Sequence, residues 1–280
     1  MGTDNKAKLT YFQLLKEDLV ILRFVPYDGM PDYEAGQFLT VGFPIPAENY
    51  KVIRRAYSIA SHPENKKYFE LLIRWVRKPL PGRVTTMLMG SSEGDEIIWG
   101  DCVGNALTIN EKLPDGRKDE RRIVCVSGGT GLAPFISFAN HLHDVGDKRE
   151  IVCLHGVSYV DELSYRDHLT KLETESQDRG KDKWNFTYRA SISRPKEWFN
   201  RSWSGHKGRV EEFLKSKGGG LSALEELVGE KITKDNTMFY ICGWQGTIDG
   251  SMKYLKPKGF VTMPDKREDG SFEAKFESYG

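Results

Sequence analysis

Arg55-Ala56-Tyr57-Ser58 sets a guanidinium, an aromatic face and a hydroxyl within four residues. A planar cationic fork grips a pyrophosphate. A phenol ring can stack on a flat heterocycle while its polar tip stays solvated, and a hydroxyl beside the reacting atom can hydrogen-bond a hydride acceptor. The run reads as strand. On a regular strand Arg55 and Tyr57 share one face and Ser58 takes the other, so a bulge or a strand end must bring all three to one ligand. An exposed strand with alternating Arg and Tyr is the plain alternative. The second run, Gly128-Gly129-Thr130-Gly131-Leu132-Ala133-Pro134, follows the apolar Ile123-Val124-Cys125-Val126-Ser127 and opens into a helical pattern. Small residues there let backbone amides approach a phosphate, and a helix start favours the anion. The spacing is not the six-position dinucleotide fingerprint, and a tight strand-to-helix turn is the alternative. Pro134 suits a first helical turn, where its missing donor costs nothing.

Two further runs carry suitable chemistry. Gly82-Arg83-Val84-Thr85 is a turn able to present amides and a hydroxyl to the same pyrophosphate, or else an ordinary helix entry. Cys242-Gly243-Trp244-Gln245-Gly246 follows the buried-looking strand Met238 to Ile241; a lone Cys is usually a small core hydrophobe, but the Gly-x-x-Gly turn after it points to a site. A free ribose 2′-hydroxyl is usually held by a carboxylate after the second strand of such a domain, and a 2′-phosphate by arginines. Here the strand Ile151 to Leu154 runs into His155-Gly156-Val157-Ser158-Tyr159, with no acid read at the tip.

The elements that must position these residues divide the chain. At 280 residues, two domains are expected. With 39% hydrophobic and 29% charged residues and a net charge of +1, the composition is globular, with no global field for nucleic acid or an anionic membrane. No apolar stretch approaches the roughly 20 residues of a membrane span, and the polar start Met1 to Thr10 has no apolar signal core. The four cysteines, Cys102, Cys125, Cys153 and Cys242, are scattered, which excludes the usual in-chain iron–sulfur cluster and points to reduced thiols in a cytoplasm; no metal ligand set is expected. Short β-rich runs, Val20 to Val25, Gln37 to Val41, Tyr68 to Val76 and Glu96 to Trp99, are punctuated by Gly36, Gly42, Pro44, Pro46, Pro63 and Pro79-Leu80-Pro81-Gly82, as in a small antiparallel barrel. After Lys112 to Arg122, apolar strands (Ile123–Val126, Ile151–Leu154, Met238–Cys242) alternate with helical patterns such as Phe135–His143 and Val210–Leu214. That texture predicts an α/β domain on a parallel sheet. The boundary is placed near Lys118, giving residues 1–118 and 119–280.

The order Ala35-Gly36-Gln37-Phe38, Arg55-Ala56-Tyr57-Ser58, Gly82-x-x-Thr85, Gly129-Thr130-Gly131-x-x-Pro134 and Cys242-Gly243 resembles the ferredoxin–NADP reductase and flavodoxin reductase family of flavoproteins, over nearly the whole chain from Leu9 to Tyr279. The resemblance implies an FAD-binding antiparallel barrel followed by an NADP(H)-binding α/β domain with a flavin-covering tail. It implies that Arg55 and Ala56 lie on FAD, that Tyr57 stacks on its ring and that Ser58 faces its reactive nitrogen. Leu72, Ile73 and Arg74 would lie along the ring edge, and Gly82, Arg83, Val84 and Thr85 on the pyrophosphate. Thr130 would sit between flavin and nicotinamide and Cys242 beside the hydride-bearing carbon. Coenzyme contacts are implied for Gly129, Gly131, Ser158, Ser193, Arg194, Arg209, Gly243, Trp244 and Gln245. Members often carry Ser where Thr85 stands and Arg where Ser158 stands. The ending Glu277-Ser278-Tyr279-Gly280 matches a Glu-x-Tyr terminus in which Tyr covers the flavin's second face and Glu assists proton movement; here Gly280 follows the Tyr. The implied activity is FAD-dependent electron exchange between NADP(H) and ferredoxin or flavodoxin, by hydride transfer to FAD. Lys66, Lys67, Arg74, Arg77, Lys78 and Arg83 are the expected docking face for an acidic carrier, on a monomer. Two alternatives stay open: an NADH-dependent reductase component of an oxygenase or hydroxylase, and a non-enzymatic flavin-binding relay or regulatory subunit.

Overall fold

The structure, a computed structural model, describes residues 5–45, 49–77, 79–216 and 218–279; Pro46, Lys78 and Gly280 lie outside the described residues. Its first half holds β1 (Asn5–Lys16), β2 (Leu19–Pro26), β3 (Phe38–Ile45), β4 (Lys51–Ser58), β5 (Phe69–Arg74), helix α1 (Arg83–Met89) and β6 (Glu96–Trp99). The six strands form one antiparallel sheet in the order β4-β3-β6-β1-β2-β5. Inward-facing Ala7, Leu9, Val20, Leu22, Phe24, Leu39, Val41, Leu71 and Ile73 make its core, and α1 plugs it with Val84 and Leu88. The run at Gly82 is therefore a helix entry, with Gly82 just ahead of α1. The sheet's ends are β4 and β5, and just past β4 the Ala60 amide donates to the Glu70 carbonyl at 2.8 Å. The two edges meet there and leave a seam beyond it.

Strand β1 was not among the expected runs. Its inward Ala7 and Leu9 alternate with Lys6, Lys8 and Thr10, and two register shifts interrupt its pairing with β2, so the segment looks merely polar along the sequence. Strands β2 and β5 are apolar on both faces for a different reason. Val20, Leu22, Leu71 and Ile73 point into the sheet's own core, while Leu19, Ile21 and Leu72 point outward into a second core shared with the other half.

The second half comprises β7 (Arg122–Gly128), α2 (Ala133–Asp144), β8 (Ile151–Val157), α3 (Arg166–Arg179), β9 (Phe186–Ile192), β10 (His206–Lys207), α4 (Ala223–Val228), β11 (Thr237–Gly243), α5 (Gln245–Leu255) and β12 (Ala274–Ser278). They build a parallel sheet ordered β10-β9-β8-β7-β11-β12. Helices on both faces explain why β7 and β11 are buried almost throughout. Val210–Leu214, expected as helical, is a single 3₁₀ turn. The chain starts in mid-sheet at β7, builds outward to β10, then crosses back to β11 on the other side of β7. Such a reversal opens a crevice at the carboxyl ends of the strands. Between Trp99 and Arg122 the chain passes from one sheet to the other, and we propose residues 1–118 and 119–280 as the two domains.

Two glycines are required by close approach. Gly36, at φ +91, leaves room for the Phe138 ring of α2 and the Leu107 carbonyl. At Gly131 an added Cβ would lie 2.2 Å from the Cys242 carbonyl oxygen and 2.9 Å from the Gly243 nitrogen. Both are strand backbone, so Gly131→Ala must push the glycine loop off β11. The expected loss is on the order of 1–3 kcal/mol, read from the denaturant midpoint; an unchanged midpoint would mean that the loop slides aside freely.

Candidate active site

A cleft of about 810 Å³ runs between the β4/β5 seam and the carboxyl ends of β7, β8 and β11. Arg55, Ala56, Tyr57 and Ser58 all line it. The pairing of β3 with β4 continues unbroken to Phe38 opposite Ser58, where β4 stops. The strand end, and not a bulge, brings Ser58 to the same space as Arg55 and Tyr57. Tyr57 donates to or accepts from Thr85 Oγ1 at 2.9 Å, which ties the strand to the first turn of α1, and burial pushes its phenol pKa up. Arg55 is exposed and donates to the Arg54 carbonyl at 2.9 Å. Leu72, Ile73 and Arg74 reach the cleft from β5, whose outer edge has no partner strand.

The far wall is held by the chain's last strand. Parallel pairing sets Glu277 opposite Cys242 and Ser278 opposite Gly243, and the Tyr279 amide donates to the Gly243 carbonyl at 3.0 Å. The Tyr279 hydroxyl then lies 2.7 Å from Ser58 Oγ, with the Cys242 thiol close beside it. Cys242 is fully buried behind Tyr279 and does not line the cleft; burial pushes its pKa up, so it is a thiol at neutral pH. Burial likewise pushes the Glu277 carboxyl up to about 7. Ser278 Oγ is buried without a partner.

Of the glycine loop, Gly128, Gly129 and Thr130 line the cleft, while Gly131 is buried against Cys242 and offers it nothing. Beneath the loop sits His155, which the sequence reading passed over as a strand tip. Its Nε2 lies 3.3 Å from the Gly129 carbonyl and its Nδ1 3.3 Å from the Tyr188 hydroxyl. Burial lowers its pKa to about 4, so the ring is neutral; Nε2 donates to the loop and Nδ1 accepts from Tyr188. A polar side chain inside an apolar strand was the signal available.

At the other end, Ser158, Ser193 and Arg209 line the cleft. Arg194 stands beside them, donating to the Tyr159 hydroxyl at 2.8 Å and lying over its ring. Contrary to the expectation of no acid after this strand, Glu162 folds back to the tip of β8. It accepts from the Ser158 and Tyr159 amides at 3.0 and 3.3 Å. It also pairs with Arg74 at 3.1 Å and Lys16 at 3.6 Å, so its carboxylate is fully engaged. Trp244 is exposed and lines the cleft; Gln245 turns away to Asp249 at 2.9 Å. Gly82 and Arg83 are exposed outside the lining, and Val84 is in the core, leaving Thr85 as the side chain of that run that reaches the cleft.

The residues expected as a basic docking face are spread along β5: Lys66 and Lys67 precede it, Arg74 ends it and Arg77 follows it. Lys66 pairs with Asp32, Arg74 with Asp18 and Glu162, and Arg77 lies over the Trp75 ring; Lys78 lies outside the described residues.

A model of the oxidoreductase FAD-binding domain matches residues 6–105, and one of the oxidoreductase NAD-binding domain matches residues 125–253. The chain is 27% identical to a ferredoxin–NADP reductase of Azotobacter vinelandii, over 86% of this chain and 84% of that protein. It is 26% identical to one from Pseudomonas aeruginosa, over 86% and 84%. Among solved structures, a ferredoxin NADP+ reductase from Neisseria gonorrhoeae with bound FAD and NADP superposes with a TM-score of 0.75 at 21% identity, covering 99% of both chains. The donor set here fits a flavin dinucleotide: a phenol ring and a hydroxyl at a strand end, an exposed guanidinium beside them, and the partnerless Ser278 Oγ in the cleft wall.

Glu277 gives a pH dependence with a definite sign. Its carboxyl, ordinarily near 4.5, is raised to about 7 when folded. Between those values the folded chain binds more protons than the unfolded one, so stability falls as pH rises through that window. Glu277→Gln lacks this loss. Denaturant midpoints of both proteins against pH should diverge from about 4.5 to about 7, the wild type dropping relative to the variant; parallel curves would put the Glu277 carboxyl in water.

Proposed function

Because the chain belongs to the ferredoxin–NADP(+) reductase family of FAD- and NAD(P)-binding oxidoreductases, we propose that it passes electrons between NADPH and a one-electron carrier of the ferredoxin or flavodoxin type. The observation that carries this reading is Tyr279, an aromatic hydrogen-bonded to Ser58 in the cleft that the Arg55-Ala56-Tyr57-Ser58 run and the glycine loop share. FAD, when bound, supplies the exchange between a hydride and single electrons.

The chain's own groups do the rest. Arg55 and Thr85 would hold the pyrophosphate, Tyr57 would offer its ring to the flavin, and Ser58 would offer its hydroxyl to the hydride-accepting edge. Tyr279 would cover the flavin until a nicotinamide takes its place; its side chain is held by a neutral hydrogen bond to Ser58 of about 1 kcal/mol, within reach of a ligand's binding energy. Thr130 sits at the same opening, and Glu277, its carboxyl raised to about 7, exchanges a proton at the cleft wall near neutral pH. Cys242 acts through packing behind Tyr279, as a thiol.

Preference for the phosphorylated coenzyme follows from what is free at the β8 tip. Glu162, the carboxylate placed to hold a 2′-hydroxyl, is consumed by Arg74, Lys16 and two amides. Arg209 lines the cleft with Ser158 and Ser193, and Arg194 adjoins it. No described helix is long and apolar enough to cross a membrane.

Steady-state reduction of an artificial acceptor with NADPH and NADH side by side tests the choice. NADPH should show the higher kcat/KM, and each Arg→Ala change at Arg194 and Arg209 should cost NADPH about 10- to 150-fold per lost charged contact while sparing NADH. Equal losses with both coenzymes would take the two arginines off the phosphate. Tyr279→Ser should tighten NADP+ binding, followed by the flavin difference spectrum, and slow turnover. Weaker binding in that variant would make Tyr279 a packing anchor.

A further inference from the structure

We propose that a divalent cation of the zinc type binds His62, Glu64 and Asp144, where the connection from β4 to β5 meets the carboxyl end of α2, with His141 orienting Glu64. His62 and Glu64 come from the antiparallel half and Asp144 from the parallel half, so the cation would clamp the halves together. The ligand atoms of His62, Glu64 and Asp144 lie within 4.8 Å of one another. His62 Nε2 is 3.0 Å from Asp144 Oδ2, and His141 Nδ1 is 2.8 Å from Glu64 Oε1. Each of these pairs crosses between the halves.

One imidazole with two carboxylates is a nitrogen and oxygen set that suits zinc at bonds of about 2.0–2.2 Å, with a solvent molecule in the fourth position. Tetrahedral ligands at those bond lengths stand roughly 3.4 Å apart, so the three ligand atoms, already within 4.8 Å of one another, reach the ion by small side-chain movements while His141 holds Glu64 from outside. His141 and Asp144 are three residues apart on one face of α2. The outer support is also present: Asp144 Oδ1 faces His143 Nδ1 at 3.4 Å, and His143 Nε2 faces Glu175 at 3.1 Å. Glu64 and Asp144 are exposed, which leaves an entry path. None of the four lines the cleft, so the cation would be structural. It would bear on the cleft at both sides, because His62 follows Ser58 closely and α2 begins directly after the glycine loop. The proposed ligands are far apart in the chain, so no metal-ligand spacing is visible along the sequence.

The test uses the FAD-loaded full chain, stripped with a chelator and titrated with zinc chloride by calorimetry, with thermal unfolding followed alongside. One zinc should bind per chain and raise the unfolding temperature, and chelator should reverse the rise. His62→Ala from one half and Asp144→Asn from the other should each abolish both signals, while Asp115→Asn, in an ion pair with Arg117 ahead of β7, should keep them. Should His62→Ala fail to fold, Glu64→Gln tests the same side. No saturable binding, or binding that survives changes on both sides, overturns the proposal.

Discussion

The Tyr279 hydroxyl lies between a hydroxyl of the antiparallel sheet, Ser58, and a thiol of the parallel sheet, Cys242. One phenol can meet both only if four placements agree. β4 must end at Ser58, β12 must pair with β11 in the register that sets Glu277 opposite Cys242, the chain must turn at Gly243, and the halves must abut at a fixed distance. The last condition is met by packing. β2 and β5 carry apolar side chains on both faces, and the glycine loop presses on the Cys242 carbonyl so closely that only glycine fits at 131. The rigid part of the cleft is thus fixed by apolar burial, which is strong and nondirectional. Its movable part hangs on neutral hydrogen bonds, which are weak and directional. That division lets an aromatic cover leave without loosening the walls.

Charge at the junction has a different role. Lys16 and Arg74 of one half meet Asp161 and Glu162 of the other, with Asp18 alongside. Glu162 and Arg74 are largely shielded from water, so removing either partner would strand a buried charge at a cost well above what the pair itself contributes. Such a cluster fixes orientation more than it adds stability. It also decides chemistry nearby: the carboxylate that a second strand of this kind offers to a ribose hydroxyl is spent on holding the halves.

Much of this was legible along the chain, and the rest was hidden for physical reasons. Strand runs, the glycine loop and the Arg55–Ser58 tetrapeptide depend on local composition and spacing, and a window of sequence contains them. The family resemblance located Tyr279 and Glu277 by position, but it took the parallel pairing of β11 and β12 to show what they touch. Glu162 was invisible as a residue at the β8 tip because it returns there through a 3₁₀ turn. His155 looked like strand punctuation, since its two partners are the loop carbonyl above and a tyrosine on the adjacent strand. Of the basic residues expected as a docking face, Lys66 and Arg74 lie at opposite ends of β5 and are paired within the protein, which the sequence could not show. Gly131 looked like a phosphate contact, and it is a packing contact.

Lys16 lies over the Tyr159 ring from the antiparallel half, while Arg194 lies over the same ring and donates to its hydroxyl. An exposed arginine normally loses rotamer freedom when it binds an anion, and that loss subtracts from the affinity gained. Arg194 has already surrendered part of that freedom to Tyr159, whereas Arg209 is exposed and has only a 3.6 Å contact with Glu211. In the proposed reading, the two arginines therefore contribute unequally, the preordered one giving discrimination and the freer one giving charge. The ordering of Arg194 in turn leans on a lysine of the other half, itself anchored by Asp161 and Glu162. In that reading, coenzyme choice, whose residues all lie in the chain's second half, is set partly by where its first half sits.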